Sequence, residues 1–102
     1  MDRLKQTLRD TLLGYAGKGL NDYSYLTVDD QQQVFAVIDF GWYKDERIAD
    51  AGLIVRLEGD TIIIERDLND KVLVDALVQA GIPREQIVLA YAGETLKETS
   101  TP

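Results

Sequence analysis

Leu53-Ile54-Val55-Arg56-Leu57-Glu58-Gly59-Asp60-Thr61-Ile62-Ile63-Ile64-Glu65-Arg66-Asp67 reads as two β-prone runs joined by a tight turn. In the first run Leu53, Val55 and Leu57 alternate with Ile54 and Arg56, which puts the leucines and the valine on the inward face of a strand that spans Arg47 to Leu57. Glu58-Gly59-Asp60 is a hairpin turn by composition, with Gly59 able to take positive φ. The three consecutive isoleucines centre a second strand from Thr61 to Arg66.

Upstream, Val34 to Phe40 is apolar at nearly every position, which suits a central strand, with Gly41 ending or bulging it. Tyr23 to Asp29 is a shorter strand with Tyr23, Tyr25 and Thr27 on one side and Leu26 and Val28 on the other, followed by the polar turn Asp29-Asp30-Gln31-Gln32. These segments predict an antiparallel meander. Before it, Leu4, Leu8, Leu12 and Tyr15 fall on one face of a helix that ends around Ala16 or Gly17, and Gly14, Gly17 and Gly19 read as a flexible connector.

After the meander, Asp67, Asn69 or Asp70 can cap a second helix that starts near Lys71, with Leu73, Leu77 and Ala80 as its stripe and Val74 and Ala76 beside it. Gly81 fits the left-handed position that closes a helix, Ile82 would pack back on Leu77, and Pro83 prevents continuation before a brief turn through Gln86. Ile87 to Tyr91 is a closing strand. The expected architecture is α+β: an N-terminal helix, an antiparallel sheet of about four strands, a second helix and a short C-terminal strand. Residues 1–92 form one domain, and 93–102 are a polar tail expected to stay mobile.

With Lys+Arg 11 against Asp+Glu 18 and a net charge of −7, the chain is ill suited to gripping a phosphate backbone, so strong direct nucleic-acid binding is not expected. Cysteine and histidine are both absent. That removes disulfides, thiolate chemistry, zinc–thiolate sites, the commonest general base and the usual partner of a Ser or Cys nucleophile. No apolar run approaches the roughly 20 residues needed to span a bilayer, and the N-terminus lacks a signal-peptide core, so the expected setting is cytoplasmic, with no membrane partner.

Individual motifs weigh against catalysis. Asp60 with Glu65, Arg66 and Asp67 invites comparison with nuclease sites built from two acids and a lysine, but Asp67 stands where the lysine would be. A calcium loop from Asp67 fails at Lys71, Val72 and Val78, and no glycine-rich phosphate loop is present. No cofactor or metal is therefore expected. Trp42 and Tyr43 are candidate anchors for a protein partner, against the alternative of a tryptophan that caps a strand end. Arg56 and Arg66 could face each other across the hairpin and join Lys44 and Arg47 in a basic patch, although pairing with Glu58 or Glu65 is the more ordinary use.

Phe40-Gly41-Trp42, the hairpin from Leu53 to Asp67, and the block from Ala80-Gly81-Ile82-Pro83 to Leu89 occur here in an order and spacing that resemble the XisI-like family. Its members are described as excision-controlling factors for cyanobacterial DNA elements. The resemblance covers most of the chain and implies a small α+β protein that acts beside a site-specific recombinase without catalysing the reaction. It further implies a partner that is endonuclease-like or recombinase-associated, and the residues expected to contact it, from the reading of the aromatics and arginines above, are Trp42, Tyr43, Arg47, Arg56 and Arg66. Relatives typically carry a histidine before the Gly-Trp pair and another after the last strand, where this chain has Phe40 and Tyr91-Ala92. Apolar residues on both strand faces suggest a homodimer. The rival readings are a ligand-binding or carboxylate-based enzyme domain using Asp45 and Glu46 or Asp60 and Glu65, and an inhibitor of an endonuclease-like partner.

Overall fold

The computed structural model describes residues 3–29, 31 and 33–95. Its elements are helix α1 (Arg3–Leu13), strands β1 (Gly17–Lys18), β2 (Asp22–Asp29), β3 (Val34–Tyr43), β4 (Glu46–Glu58) and β5 (Thr61–Asp67), helix α2 (Leu73–Gln79) and strand β6 (Ile87–Leu89). The expected α+β class holds. All six strands form one sheet in chain order; β1 to β5 pair antiparallel and β6 lies parallel to β5. A parallel neighbour cannot be reached by a hairpin, and α2 supplies the crossover.

Both helices lie on one side of the sheet. Leu8 and Leu12 of α1 and Leu73, Val74 and Leu77 of α2 share a single buried cluster with Phe35, Val37, Leu53, Val55, Leu57, Ile62, Ile64 and Ile87. The inward set expected for β4 is therefore correct, and Leu26 and Val28, read as sharing one side of β2, both pack against the same cluster. Burying side chains of this size gives about 1.5–3 kcal/mol each relative to exposure, so this cluster is the main source of stability.

The helix ends differ in detail from the sequence reading. α1 stops at Leu13, but Tyr15 and Ala16 donate backbone bonds to Leu12 and Leu13 in tighter turns that carry the winding on to Ala16. The Tyr15 hydroxyl donates to the Lys71 carbonyl at 2.8 Å and ties this end to the approach of α2. Burial, and then the Asp67 and Asp75 carboxylates, raise the Tyr15 phenol above its ordinary range and keep it a donor. None of the three candidate caps takes the N-cap position of α2, which is Val72 with no side-chain cap bond; the Asp67 carboxylate instead reaches in from β5, accepting from the Leu73 N–H at 2.7 Å and from the Asn69 N–H at 3.0 Å. That fixes the start at Leu73 rather than near Lys71. Ala80 is exposed and drops out of the apolar stripe, which Val74 completes instead.

The end of α2 matches expectation. Gly81 has φ 103° and donates to Val78, while Ile82 donates to Leu77 and is buried. This is the paired 5→2 and 6→1 closure that an αL residue after a helix permits.

Gly41 does not end β3, which continues to Tyr43. Its role is close approach: a Cβ there would sit 2.7 Å from Asp22 Cβ and 2.8 Å from the Asn21 carbonyl, where β2 begins. The closing strand stops at Leu89 rather than Tyr91, because residues 90–92 turn back. The expected mobile tail falls largely outside the described residues, but Glu94 is held: its carboxylate accepts from the Leu89 N–H at 2.8 Å and from Arg84 at 3.0 Å. The Leu89 bond first, then Arg84, keeps this carboxyl below its ordinary range.

Two tests follow from these contacts. Asp67→Ala should lower unfolding free energy by about 1–2 kcal/mol in urea titration, since the backbone N–H groups of Asn69 and Leu73 and the Asn69 side-chain amide lose their acceptor. A depressed folded-state pKa at Glu94 means that its contribution is present above the unfolded value near about 4.3 and disappears as pH falls through the folded one. Glu94→Gln should remove that acid-side part of the pH–stability curve, read from Tm at stepped pH.

Candidate protein-docking face

The side of the sheet away from the helices carries no second layer. Register defines its occupants: Tyr23 pairs with Phe40 and Phe40 with Ala49; Tyr25 pairs with Ile38 and Ile38 with Ala51; Ala36 pairs with Ile54; Trp42 pairs with Arg47. Cross-strand partners share a face, so these side chains form a contiguous surface. At its centre Tyr23 stacks on Phe40 with centroids 5.3 Å apart, and Tyr25 meets Tyr23 edge-on at 5.4 Å. Tyr25 is nonetheless 60% exposed.

Toward one end the β3–β4 hairpin runs out into an arm on which every residue from 42 to 50 is exposed. The molecule is elongated, with extents of 49, 29 and 27 Å. At its tip Lys44 and Asp45 have φ 50° and 66°. Two successive left-handed residues make the two-residue turn that matches strand twist, a position where glycine or asparagine is usual and other side chains cost roughly 1–2 kcal/mol each.

The arm carries cations against rings. The Arg47 guanidinium lies 5.8 Å over Trp42 and donates to the Tyr23 hydroxyl at 3.4 Å, and Lys44 Nζ is 5.4 Å from the Tyr43 ring. Trp42 and Tyr43 are 59% and 61% exposed. Trp42 is thus not a core residue.

The five candidate residues do not gather in one site. Trp42 and Arg47 stand together on the open face. Tyr43 is the next residue along β3 and points to the opposite side. Arg56 lies nine residues from Arg47 along β4, roughly 30 Å at strand rise, and its guanidinium is taken by Glu65 at 2.7 Å and Glu58 at 3.1 Å. The Glu65 bond is the main reason its pKa is raised. Arg66 is opposite Ile54, not Arg56, and bonds Asp50 at 3.3 Å, while its Nε is buried without a partner. The two arginines therefore do not face each other, and with Lys44 and Arg47 at the far end no basic patch forms. Tyr23, Tyr25 and Phe40 were missed as site residues; the alternation of tyrosines at 23 and 25 was their only sequence signal.

Among the described residues, no cluster of three or more acidic side chains is arranged to hold a metal ion. Asp45 and Glu46 sit adjacent at the hairpin tip, and Asp60 lies in the β4–β5 turn, away from the Glu65–Arg56 pair. No helix among the described residues is long and apolar enough to cross a membrane. A cleft of about 460 Å³ opens beside the aromatic cluster, lined by Gly17, Lys18, Tyr23, Ser24 and Tyr25.

The family model described as XisI protein matches residues 1–101. The chain belongs to the XisI family. Two solved structures share its fold. A XisI-like protein from Anabaena variabilis superposes with a TM-score of 0.64 at 23% identity over 84% of this chain and 78% of that one. The fdxN element excision controlling factor XisI from Anabaena variabilis gives a TM-score of 0.64 at 20% identity over 93% of this chain and 92% of that one. No curated protein matches the chain. The family resemblance carried by Phe40-Gly41-Trp42, the central hairpin and the Gly81-Ile82-Pro83 block is thereby established for this XisI-family member.

Because Trp42 projects from the arm without touching the buried cluster, Trp42→Ala should leave unfolding free energy within about 0.5 kcal/mol of wild type. Chemical denaturation followed by circular dichroism checks this.

Proposed function

We propose that this protein is a non-enzymatic accessory factor that controls excision of a DNA element by binding another protein. Membership of the XisI family supports the process, since a solved relative is an excision controlling factor. The observation that carries the mode of action is the exposed β3–β4 arm, with Trp42 and Arg47 on one side and Tyr43 on the other. Trp, Tyr and Arg supply most hot-spot energy at protein interfaces, and an arm offers them to a groove on a partner.

Charge selects the class of partner. A net charge of −7 repels phosphate and suits an endonuclease-like or recombinase-associated protein with a basic, DNA-facing surface. The same charge favours a second reading, in which the chain inhibits an endonuclease-like partner by covering that surface.

Affinity capture with the tagged chain from native lysate, at low and then moderate salt, tests the proposal when wild type is run beside Trp42→Ala and Arg47→Ala. The expected result is an endonuclease-like or recombinase-associated protein bound by wild type and weakened more than about tenfold by either substitution. Recovery of no such protein, or binding indifferent to both substitutions, would overturn it.

A further inference from the structure

Strand β6 ends the sheet, and a sheet edge presents a row of backbone donors and acceptors with which another strand can pair. In the parallel ladder Val88 turns its own N–H and C=O toward β5, so the outward groups of β6 belong to Ile87 and Leu89. Each of the two is met by one residue. Arg84, in the turn before β6, takes both groups of Ile87: its carbonyl accepts from the Ile87 N–H, and its Nη1 donates to the Ile87 carbonyl at 2.7 Å. Glu94 takes both groups of Leu89: its N–H donates to the Leu89 carbonyl at 3.1 Å, and its Oε1 accepts from the Leu89 N–H at 2.8 Å. Arg84 Nη2 and Glu94 Oε2 then join at 3.0 Å and close the row.

We infer that Arg84 and Glu94 together form an edge block, standing where a further strand would lie and keeping a second copy of this chain from adding to the sheet at β6. A residue in an antiparallel strand exchanges both an N–H and a C=O with the residue it faces, and that exchange is what Leu89 makes with Glu94. The bend that allows it is built into the backbone: residues 90–92 turn back, and Gly93, at φ 91°, brings Glu94 alongside Leu89. The ion pair alone does not account for the arrangement. Its side chains are 47% and 42% exposed, and pairs at such exposure add little to stability. What the two side chains do that an ordinary surface pair does not is return to the backbone of the edge strand at both ends.

The opposite edge shows why one block matters. There β1 has two residues and faces only Tyr23 and Ser24, while β2 continues past it to Asp29. A sheet that accepts a strand at both of its edges can join copies head to tail, a contact that does not close on itself. Blocking β6 removes one of the two surfaces that such growth needs.

Sedimentation velocity of the full chain across micromolar concentrations tests this, with wild type beside Glu94→Ala and beside the charge-swapped double variant Arg84→Glu, Glu94→Arg. Both positions lie outside the buried cluster, so the fold should survive. The swap keeps the ion pair and the net charge but reverses donor and acceptor, so neither side chain can serve the backbone group it now meets. Both variants should associate at least about tenfold more tightly than wild type, into species that grow with concentration, and the Leu89 amide should exchange about tenfold faster in each. Variants that sediment as wild type does, a swap that restores wild-type behaviour, or unchanged Leu89 protection in Glu94→Ala would overturn the proposal. Should the double variant fail to fold, Arg84→Met, which keeps the stem and drops the guanidinium, should still associate more than wild type, and its failure to do so would equally refute the block. Association is read with no partner present, so the result is independent of the accessory role.

Discussion

A sheet of six strands is covered here by two helices of 11 and 7 residues, and a layer that small can bury only one face. Everything else depends on that imbalance. The covered face takes Phe35, Val37, Leu53, Val55, Ile62 and Ile64 into one cluster with both helices, and its hydrophobic burial holds the fold. The opposite face keeps aromatic and aliphatic side chains without a layer of its own. A larger helical complement would have made a closed sandwich with no docking surface, and a polar outer face would have made an ordinary half-solvated sheet. The chain does neither.

The arm is a second consequence of strand length. β3 and β4 outrun the helices, so their hairpin continues past the cluster with both of its sides in solvent. Its tight Lys44-Asp45 turn keeps Tyr43 opposite Glu46 and Trp42 opposite Arg47, which is what sets the guanidinium over the indole. Backbone strain at that turn is borne where the local fold gains little from it, and such positions concentrate at functional sites.

How far these features can be read from sequence follows from the range of the interactions involved. Local ones are legible: the glycine closure at Gly81, the hairpin at Gly59 and the period-two alternation of β2 and β4 all lie within a few residues of their partners. The sheet's outer elements were less so, because β1 has two residues and β6 three, too short for any alternation to show. Gly41 looked like a strand end because its reason, the close passage of Asn21 and Asp22, lies some twenty residues away. The same distance hid the cluster of Tyr23, Tyr25 and Phe40. Arg66 was misplaced for a local reason: the turn pairs Glu58 with Thr61, which puts Ile63 rather than Arg66 opposite Arg56. Of the candidate site, Trp42 was legible as a candidate anchor but its pairing with Arg47 was not, and Arg56 and Arg66 turned out to be occupied by carboxylates of their own chain.

The central claim is that the helices seal one sheet face, while on the other the side chains of β2, β3 and β4 stay partly accessible in the single chain. The most direct measurement is isoleucine-methyl NMR of a dilute sample with a soluble nitroxide. Ile62, Ile64 and Ile87 should resist broadening, while Ile38 and Ile54 broaden strongly at the lowest concentration. Equal protection of Ile38 and Ile54 at that concentration, or ready broadening of Ile62 and Ile64, would contradict the account.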